Sequence, residues 1–129
     1  MTVLLDTHAA YWWSAGDDRL SSTARRVIGD ADELAVSGMT WFELAWLARR
    51  ERIIVGVPVG TWLSELAGAF RTVGVSWAVA EAAAGLPATF PGDPVDRIIY
   101  ATALVNGWQL VTRDGRMHEQ DRARAMVVW

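Results

Sequence analysis

The sequence predicts an α/β fold, a three-layer α/β/α sandwich in which helices cover both faces of a short central parallel sheet of about five strands. Short apolar runs alternate with longer segments of helical periodicity along all 129 residues. This alternation is typical of parallel sheets whose strands are connected by helices. The length fits one domain spanning residues 1–129, and neither a repeat nor a long linker interrupts it.

The strand predictions depend on short apolar runs bounded by turn residues. Such runs are typical of strands buried in a parallel sheet. They lie at Val3–Leu5, Leu34–Ser37, Val73–Val75, Gln109–Thr112 and Met126–Val128. The last two are separated by a polar stretch that contains a possible turn at Asp114-Gly115.

The helix predictions depend on apolar spacing and on residues that start or stop helices. Gly16 and Gly29 are the predicted stops of the first two helices, and Asn106-Gly107 is the stop of the longest one. The predicted helices are Thr7 to about Ala15, Ser21 or Ser22 to about Ile28, Thr40 to about Arg50, Thr61–Phe70, Ala78 to about Gly85, and Pro94–Asn106. A loop with two prolines and a glycine, residues 86–92, precedes the last of them.

The composition excludes several classes of chemistry. The chain has no cysteine, so disulfides, zinc–thiolate sites and thiol nucleophiles are impossible. All twelve cationic residues are arginines, and the absence of lysine excludes P-loop phosphate binding and Schiff-base catalysis. Apolar runs of secretory-signal or membrane-spanning length are also missing. We therefore expect a cytoplasmic protein that does not insert into membranes.

Eight tryptophans are more than a core of this size is expected to enclose. Tryptophan is enriched at the energetic centres of protein interfaces. We therefore expect some of these side chains to contact a partner protein, while others pack over helix seams.

Four acidic residues stand where a predicted strand ends or a predicted helix begins. The local sequences are Leu4-Leu5-Asp6, Trp41-Phe42-Glu43, Pro94-Val95-Asp96 and Thr112-Arg113-Asp114. In an open parallel sheet, the carboxyl ends of the strands share one edge, where ligands bind. Carboxylates gathered at one point raise each other's pKa unless a cation holds them together. The four positions therefore predict a divalent-metal site.

Each acid also has a purely structural interpretation. Glu43 fits a capping box opened by Thr40. Asp6, Asp96 and Asp114 each fit the first turn of a helix or a tight turn. Helix caps occur at both edges of a sheet, however, whereas all four acids are predicted at the same edge. That agreement favours a shared site.

Asp96 gives a second reason to prefer a site over caps. It lies one and two helical turns before Tyr100 and Ala103, on a face that is expected to pack inward. A carboxylate on that face needs a cation or several donors, because burying it without a partner is costly. Asp93 is different, since a helix N-cap before Pro94 explains it fully and leaves it outside the predicted site.

The predicted chemistry is hydrolysis of a phosphodiester. Carboxylate and water oxygens are the ligands that Mg²⁺ and Mn²⁺ prefer, and such ions activate water for attack at phosphorus. Asp6, Asp96 and Asp114 are the predicted metal ligands, and Glu43 is predicted to orient or deprotonate the attacking water. Candidate substrate contacts next to these acids are Thr7, Thr112, Arg97 and Arg113.

With these residues in view, the chain resembles the PIN-domain ribonucleases, specifically the VapC-type toxins of bacterial toxin–antitoxin pairs. The resemblance covers nearly the full length, and the ordered set of motifs carries it. The motifs are Leu4-Leu5-Asp6-Thr7-His8, Trp41-Phe42-Glu43-Leu44-Ala45, Asp93-Pro94-Val95-Asp96-Arg97 and Leu110-Val111-Thr112-Arg113-Asp114.

The resemblance implies a PIN-like fold and a Mg²⁺- or Mn²⁺-dependent endoribonuclease acting as a toxin. It places the catalytic acids at Asp6, Glu43, Asp96 and Asp114. It also implies a homodimer, an RNA substrate, and a cognate antitoxin that forms a hetero-oligomer with the toxin and covers the active site. The alternative is a catalytically silent PIN-like module that binds RNA or protein. A phosphatase of the haloacid-dehalogenase kind is disfavoured, because His8 stands where that chemistry needs a second aspartate.

Overall fold

A five-stranded parallel sheet organises the computed structural model, which describes residues 1–129. This confirms the predicted fold class. The strands are β1 Thr2–Leu5, β2 Glu33–Ser37, β3 Arg71–Val73, β4 Gln109–Val111 and β5 Val127–Val128. The helices are α1 Thr7–Ala15, α2 Ser22–Asp30, α3 Gly38–Arg49, α4 Val59–Ala67, α5 Trp77–Ala84, α6 Pro94–Asn106 and α7 Gly115–Asp121.

The sheet has the strand order β3-β2-β1-β4-β5, with β1 at its centre. Leu4 of β1 is aligned with Ala35 of β2 on one side and with Leu110 of β4 on the other. All pairs are parallel, so all strands end at one edge. That edge is where the segments after β1, β2 and β4 come together.

Side chains of β1 alternate between two cores, one on each face of the sheet. Val3 and Leu5 pack with residues of α1 and α2, whereas Leu4 packs with residues of α6. Alternation is required because successive strand residues point to opposite faces. All three are fully buried, and enclosing a leucine contributes about 2 kcal/mol each. The two cores make β1 a rigid base for the residue that follows it.

The predicted start of α3 is wrong by two residues. Its N-cap is Ser37, whose hydroxyl accepts a hydrogen bond from the backbone N–H of Met39 at 3.2 Å. Thr40, the predicted cap, is fully buried inside the first turn. The capping box with Glu43 therefore does not form, and the glutamate is free for another role.

Three further predictions differ from the structure. Helix α4 is Val59–Ala67 rather than Thr61–Phe70. Strand β3 is Arg71–Val73 rather than Val73–Val75, because register with β2 pairs Ala35 with Arg71 at the exposed sheet edge. The polar stretch after Asp114 contains helix α7, which was not predicted. Asp114 is the N-cap of this helix rather than part of an isolated turn.

None of the helices is long and apolar enough to cross a membrane.

Candidate active site

Asp6 and Asp114 reach the carboxyl edge of the sheet directly from its two central strands. The backbone N–H of Asp6 donates to the carbonyl of Val111 at 3.1 Å, which extends the pairing of β1 with β4 by one residue. Asp6 then caps α1 by accepting from the N–H of Ala9 at 2.8 Å. Asp114 caps α7 by accepting from the N–H groups of Arg116 and Met117 at 2.8 and 3.2 Å. Both acids are therefore rigidly positioned.

Glu43 lies on α3, and its side chain is hydrogen-bonded to α1, the helix that follows β1. The hydroxyl of Thr7 donates a hydrogen bond to one carboxylate oxygen, Oε1. The same hydroxyl lies 3.2 Å from that of Thr40, one turn before Glu43 on α3. Two buried threonines thus fix one oxygen of the glutamate and leave the other, Oε2, without a protein partner.

Asp96 lies in the first turn of α6 but is not its cap. Asp93 takes that role, accepting from the N–H of Val95 at 2.8 Å and from that of Asp96 at 3.4 Å. Burial raises the pKa of Asp96 to about 7, and the nearby charges of Asp93, Asp114, Glu43 and Asp6 add to the increase in that order. No hydrogen bond offsets these effects.

The pKa of Asp6 is also raised, chiefly by burial and slightly by the charge of Glu43. Hydrogen bonds from the Thr112 hydroxyl and the Ala9 N–H act in the opposite direction, as does His8. Carboxylates from four separate segments therefore lie within electrostatic reach of one another. Such a set disfavours its own ionised state unless positive charge is supplied.

The donor set is chemically suited to Mg²⁺ or Mn²⁺, since it consists of carboxylate oxygens without sulfur. In this structure, however, no three acidic or histidine side chains are spaced to hold one ion between them. Asp6, Asp114 and Glu43 are each held by their own local donors. Mg²⁺ retains several waters and needs only one or two direct carboxylates, so this spacing fits an ion bound partly through water.

In this structure the hydroxyls of Thr7 and Thr112, the two predicted substrate contacts, are bound to predicted catalytic acids. Thr112 is fully buried; its hydroxyl donates to Asp6 and accepts from the N–H of Asp114 at 3.1 Å. Thr7 is 3% exposed and is bound to Glu43. Both hydroxyls are enclosed beneath the carboxylates, so they orient the acids and do not reach a phosphate.

Arg97, the third predicted substrate contact, is bound to the backbone in this structure. Its guanidinium donates to four backbone carbonyls, those of Pro91, Ala83, Leu86 and Pro87, at 3.0 to 3.3 Å. These bonds tie the loop between α5 and α6 to the start of α6. Arg97 therefore supports the segment that carries Asp96 from behind.

Arg113 remains available for substrate. It is exposed between Thr112 and Asp114, and its guanidinium carbon lies 6.0 Å from the ring centre of Trp12. His8 is likewise exposed, in the first turn of α1. His118 is engaged differently, because its Nε2 lies 2.8 Å from the carbonyl oxygen of Thr112.

A further acid, Asp121, was not singled out by the sequence. It is 2% exposed and accepts hydrogen bonds from the Tyr100 hydroxyl at 2.7 Å and from the N–H groups of Met126 and Val127 at 2.6 and 2.7 Å. This network joins α6, α7 and β5. Tyr100 lies 21 residues before Asp121, and no local sequence pattern predicts that contact.

Comparisons with known proteins show the family and the fold of this chain. The PIN domain family model matches residues 3–123. Ribonuclease VapC22 of Mycobacterium tuberculosis is 56% identical over 128 residues, which are 99% of this chain and 98% of that protein.

Solved structures with lower identity show the same fold. A toxin–antitoxin complex from Klebsiella pneumoniae has a TM-score of 0.71 at 21% identity, covering 98% of this chain and 96% of that one. Mycobacterium tuberculosis VapC20, described as a sarcin–ricin loop cleaving toxin, has a TM-score of 0.64 at 21% identity, with 95% of each chain covered.

Proposed function

Because this chain belongs to the PIN-domain family, and within it to the VapC-type proteins, we propose that it is a Mg²⁺- or Mn²⁺-dependent endoribonuclease that acts as the toxin of a toxin–antitoxin pair. The name of its 56% identical relative, a ribonuclease, supports the activity. The proposed catalytic residues are Asp6, Glu43, Asp96 and Asp114.

The observation that carries this proposal is the environment of Asp96. Its carboxylate is partly buried, receives no donor, and is surrounded by acids from other segments. An arrangement that serves only stability supplies donors to a buried carboxylate. A site that binds a cation instead leaves oxygens free for it. Perturbed groups of this kind cluster at functional sites.

Asp6, Asp96 and Asp114 would hold the cation partly through bridging waters, since no three acids are spaced to share one ion directly. The cation would neutralise phosphate charge and lower the pKa of a bound water. Glu43 has one oxygen fixed by Thr7, and its free oxygen would orient the water and accept its proton. Thr112 keeps Asp6 oriented. Arg113, exposed beside Asp114, would contact a phosphate of the bound RNA.

The proposed partners are RNA, a cognate antitoxin and a second copy of the chain. The similar structure from Klebsiella pneumoniae is described as a toxin–antitoxin complex, which supports a hetero-oligomer. Exposed aromatic side chains support protein contacts, since Trp77 is 81% and Trp46 is 48% accessible. RNA and antitoxin would both be met in the cytoplasm.

The test is cleavage of total RNA by the purified, antitoxin-free protein with Mg²⁺ or Mn²⁺, and with EDTA. Discrete fragments that require the metal and disappear with Asp6→Asn and Asp96→Asn are expected. Asp30→Asn, an exposed acid at the end of α2, is the matched control and retains cleavage. Folded protein that cleaves no class of RNA would favour a binding-only PIN module. Cleavage that survives EDTA and both substitutions would identify a contaminant.

A further inference from the structure

We propose that Arg97 is a positioning residue of the cation site, a role that rests on the proposed metal-dependent ribonuclease function. Arg97 follows Asp96 directly, near the start of α6. Through the loop 85–93, which joins α5 to α6, it holds Asp96 beside the other acids without contacting RNA or the cation itself. Replacing Arg97 is therefore expected to weaken the cation site and not only the fold.

The hydrogen bonds of the Arg97 guanidinium leave it little capacity for another role. Its Nη1 donates to the carbonyls of Ala83 and Leu86 at 3.1 and 3.3 Å. Its Nε donates to that of Pro91 at 3.1 Å, and its Nη2 to that of Pro87 at 3.0 Å. These bonds occupy four of the five N–H donors of a guanidinium. The side chain forms no salt bridge with Asp96 or with any other acid.

The four carbonyls explain why this position requires arginine. Ala83 lies in the last turn of α5, where the final carbonyls have no partner within the helix. A cationic donor at a helix C-terminus also interacts favourably with the helix dipole. The other carbonyls belong to a loop that contains two prolines, Pro87 and Pro91. The ammonium group of a lysine places its three donors at one point and cannot span the same four acceptors.

The loop that Arg97 holds also contacts the two helices that begin with predicted cation ligands. Phe90 is buried, and its ring centre lies 4.8 Å from that of Tyr100 on α6. The hydroxyl of Thr89 donates to the side-chain carbonyl of Gln120 on α7 at 3.1 Å. Helix α6 carries Asp96 in its first turn, and Asp114 is the N-cap of α7. The loop therefore links the two helices whose starts carry these acids.

The experiment compares Arg97→Lys, which keeps the charge, with Arg97→Met, which keeps much of the length. Titration calorimetry measures Mn²⁺ affinity without RNA. Steady-state kinetics on a synthetic RNA that spans a wild-type cleavage site measures kcat and KM separately. We expect both variants to bind Mn²⁺ about tenfold more weakly and to lower kcat by at least about tenfold, because residues that orient metal ligands have effects of this size. KM is expected to stay within about twofold, since Arg97 does not contact RNA.

Two control variants separate positioning from general effects. Arg26→Met replaces an exposed arginine of α2 and is expected to change neither Mn²⁺ affinity nor kcat. Val27→Ala removes buried apolar atoms from the same helix, so it is expected to lower stability while leaving Mn²⁺ affinity unchanged.

A double-mutant cycle tests whether Arg97 acts through Asp96. In an Asp96→Asn background, Arg97→Lys is expected to cause no further loss of Mn²⁺ affinity, because the ligand that it positions is already gone. An equal loss in both backgrounds would overturn the proposal. So would an active Arg97→Lys beside an inactive Arg97→Met, since the charge alone would then be sufficient.

Hydrogen exchange in the wild-type protein tests the same coupling if the Arg97 variants do not fold. The backbone N–H groups of Leu86 and Phe90 are bonded within the loop, to the carbonyls of Ala83 and Pro87. Because coupling between two sites is reciprocal, Mn²⁺ is expected to slow their exchange. The segment 29–33, at the opposite edge of the sheet, is the control and should be unaffected. No slowing in the loop, or equal slowing in both segments, would overturn the proposal.

The wild-type protein distinguishes a failure of the positioning role from a failure of the proposed function. If it binds Mn²⁺ and cleaves RNA, and the folded Arg97 variants do so equally well, only the positioning role fails. If the folded wild-type protein neither binds Mn²⁺ nor cleaves RNA, both fail.

Discussion

Asp121 and Asp96 lie on consecutive helices, α7 and α6, and both are withdrawn from full solvent contact, but only Asp121 is supplied with donors. Asp121 accepts three hydrogen bonds at 2.6 to 2.7 Å, one from Tyr100 and two from backbone N–H groups. Asp96 accepts none and is surrounded by like charges.

This difference in hydrogen bonding distinguishes an acid that stabilises the fold, Asp121, from an acid that belongs to a binding site, Asp96. Hydrogen bonds compensate a buried carboxylate from within the protein, and Asp121 needs nothing further. No protein group compensates the cost of ionising Asp96 among other acids, so a cationic ligand can supply the positive charge that is missing.

The largest effect is expected for catalysis. Asp96→Asn removes a proposed metal ligand and is predicted to slow RNA cleavage by about a thousandfold, equivalent to about 4 kcal/mol of transition-state stabilisation. Single-turnover cleavage of total RNA measures this. The fold is expected to remain intact, as judged by far-UV circular dichroism. A folded variant with wild-type cleavage would remove Asp96 from the site.

The next largest effect is expected for the free energy of unfolding when Asp121 is replaced. Asp121→Ala leaves the Tyr100 hydroxyl and two backbone N–H groups without an acceptor, and is predicted to lower the free energy of unfolding by about 3 kcal/mol. Asp121→Asn retains an accepting oxygen and is expected to cost less. Urea denaturation of both variants is the measurement. If Asp121→Ala did not change the free energy of unfolding, the hydrogen bonds of Asp121 would not stabilise the fold.

Asp96→Asn is predicted to have the opposite effect on stability. The pKa of Asp96 is raised in the folded protein, so its proton is held more tightly there than in the unfolded chain. Its stabilising contribution is therefore present at low pH and is lost as pH rises from about 4 to about 7. Replacing it should stabilise the metal-free protein at pH 8 by about 2 kcal/mol, about half of what the raised pKa alone would give, because the partly exposed side chain is screened by solvent.

Denaturation of the wild-type protein and Asp96→Asn across this pH range tests the sign. The advantage of the variant should shrink as pH is lowered toward 4. An advantage that grows on acidification, or that is absent at every pH, would contradict the electrostatic account of Asp96.

The smallest effect is expected for the loss of one hydrogen bond to Asp121, the bond donated by Tyr100. Tyr100→Phe removes one donor while Asp121 keeps its two backbone N–H groups, so a loss of about 1 kcal/mol is expected. Thermal unfolding measures it. Cleavage should be unaffected, because the Tyr100 hydroxyl is hydrogen-bonded to Asp121 and Arg124 and to none of the four proposed catalytic acids. Loss of activity in a folded variant would show that the two regions are coupled.

The fold was accessible from sequence because its signals are local. Val3, Leu4 and Leu5 form an apolar run that ends at an acid, and Gly107, with φ of 69°, stops α6 in the left-handed conformation that favours glycine. The sequence was insufficient to place the start of α3, because two residues could equally well cap that helix. Both Ser37 and Thr40 can cap a helix, and the choice depends on where β2 stops pairing in the sheet.

The positions of the four acids were predictable, but their surroundings were not. The shared sheet edge follows from parallel topology, which the alternation of strands and helices indicates. The bond from Thr112 to Asp6 joins residues 106 positions apart, and the bonds of Arg97 depend on the path of a loop. Such contacts are set by tertiary packing. The sequence therefore could not predict that Thr7 and Thr112 hold the acids, or that Arg97 holds the loop before α6.

Titration calorimetry with Mn²⁺ tests whether the acids at the sheet edge form a cation site. Saturable binding to the wild-type protein is predicted, weakened at least about tenfold by Asp96→Asn, because a charged ligand is lost. The control Asp30→Asn is expected to bind like the wild type. No binding to the folded wild-type protein, or equal binding to all three proteins, would contradict the claim.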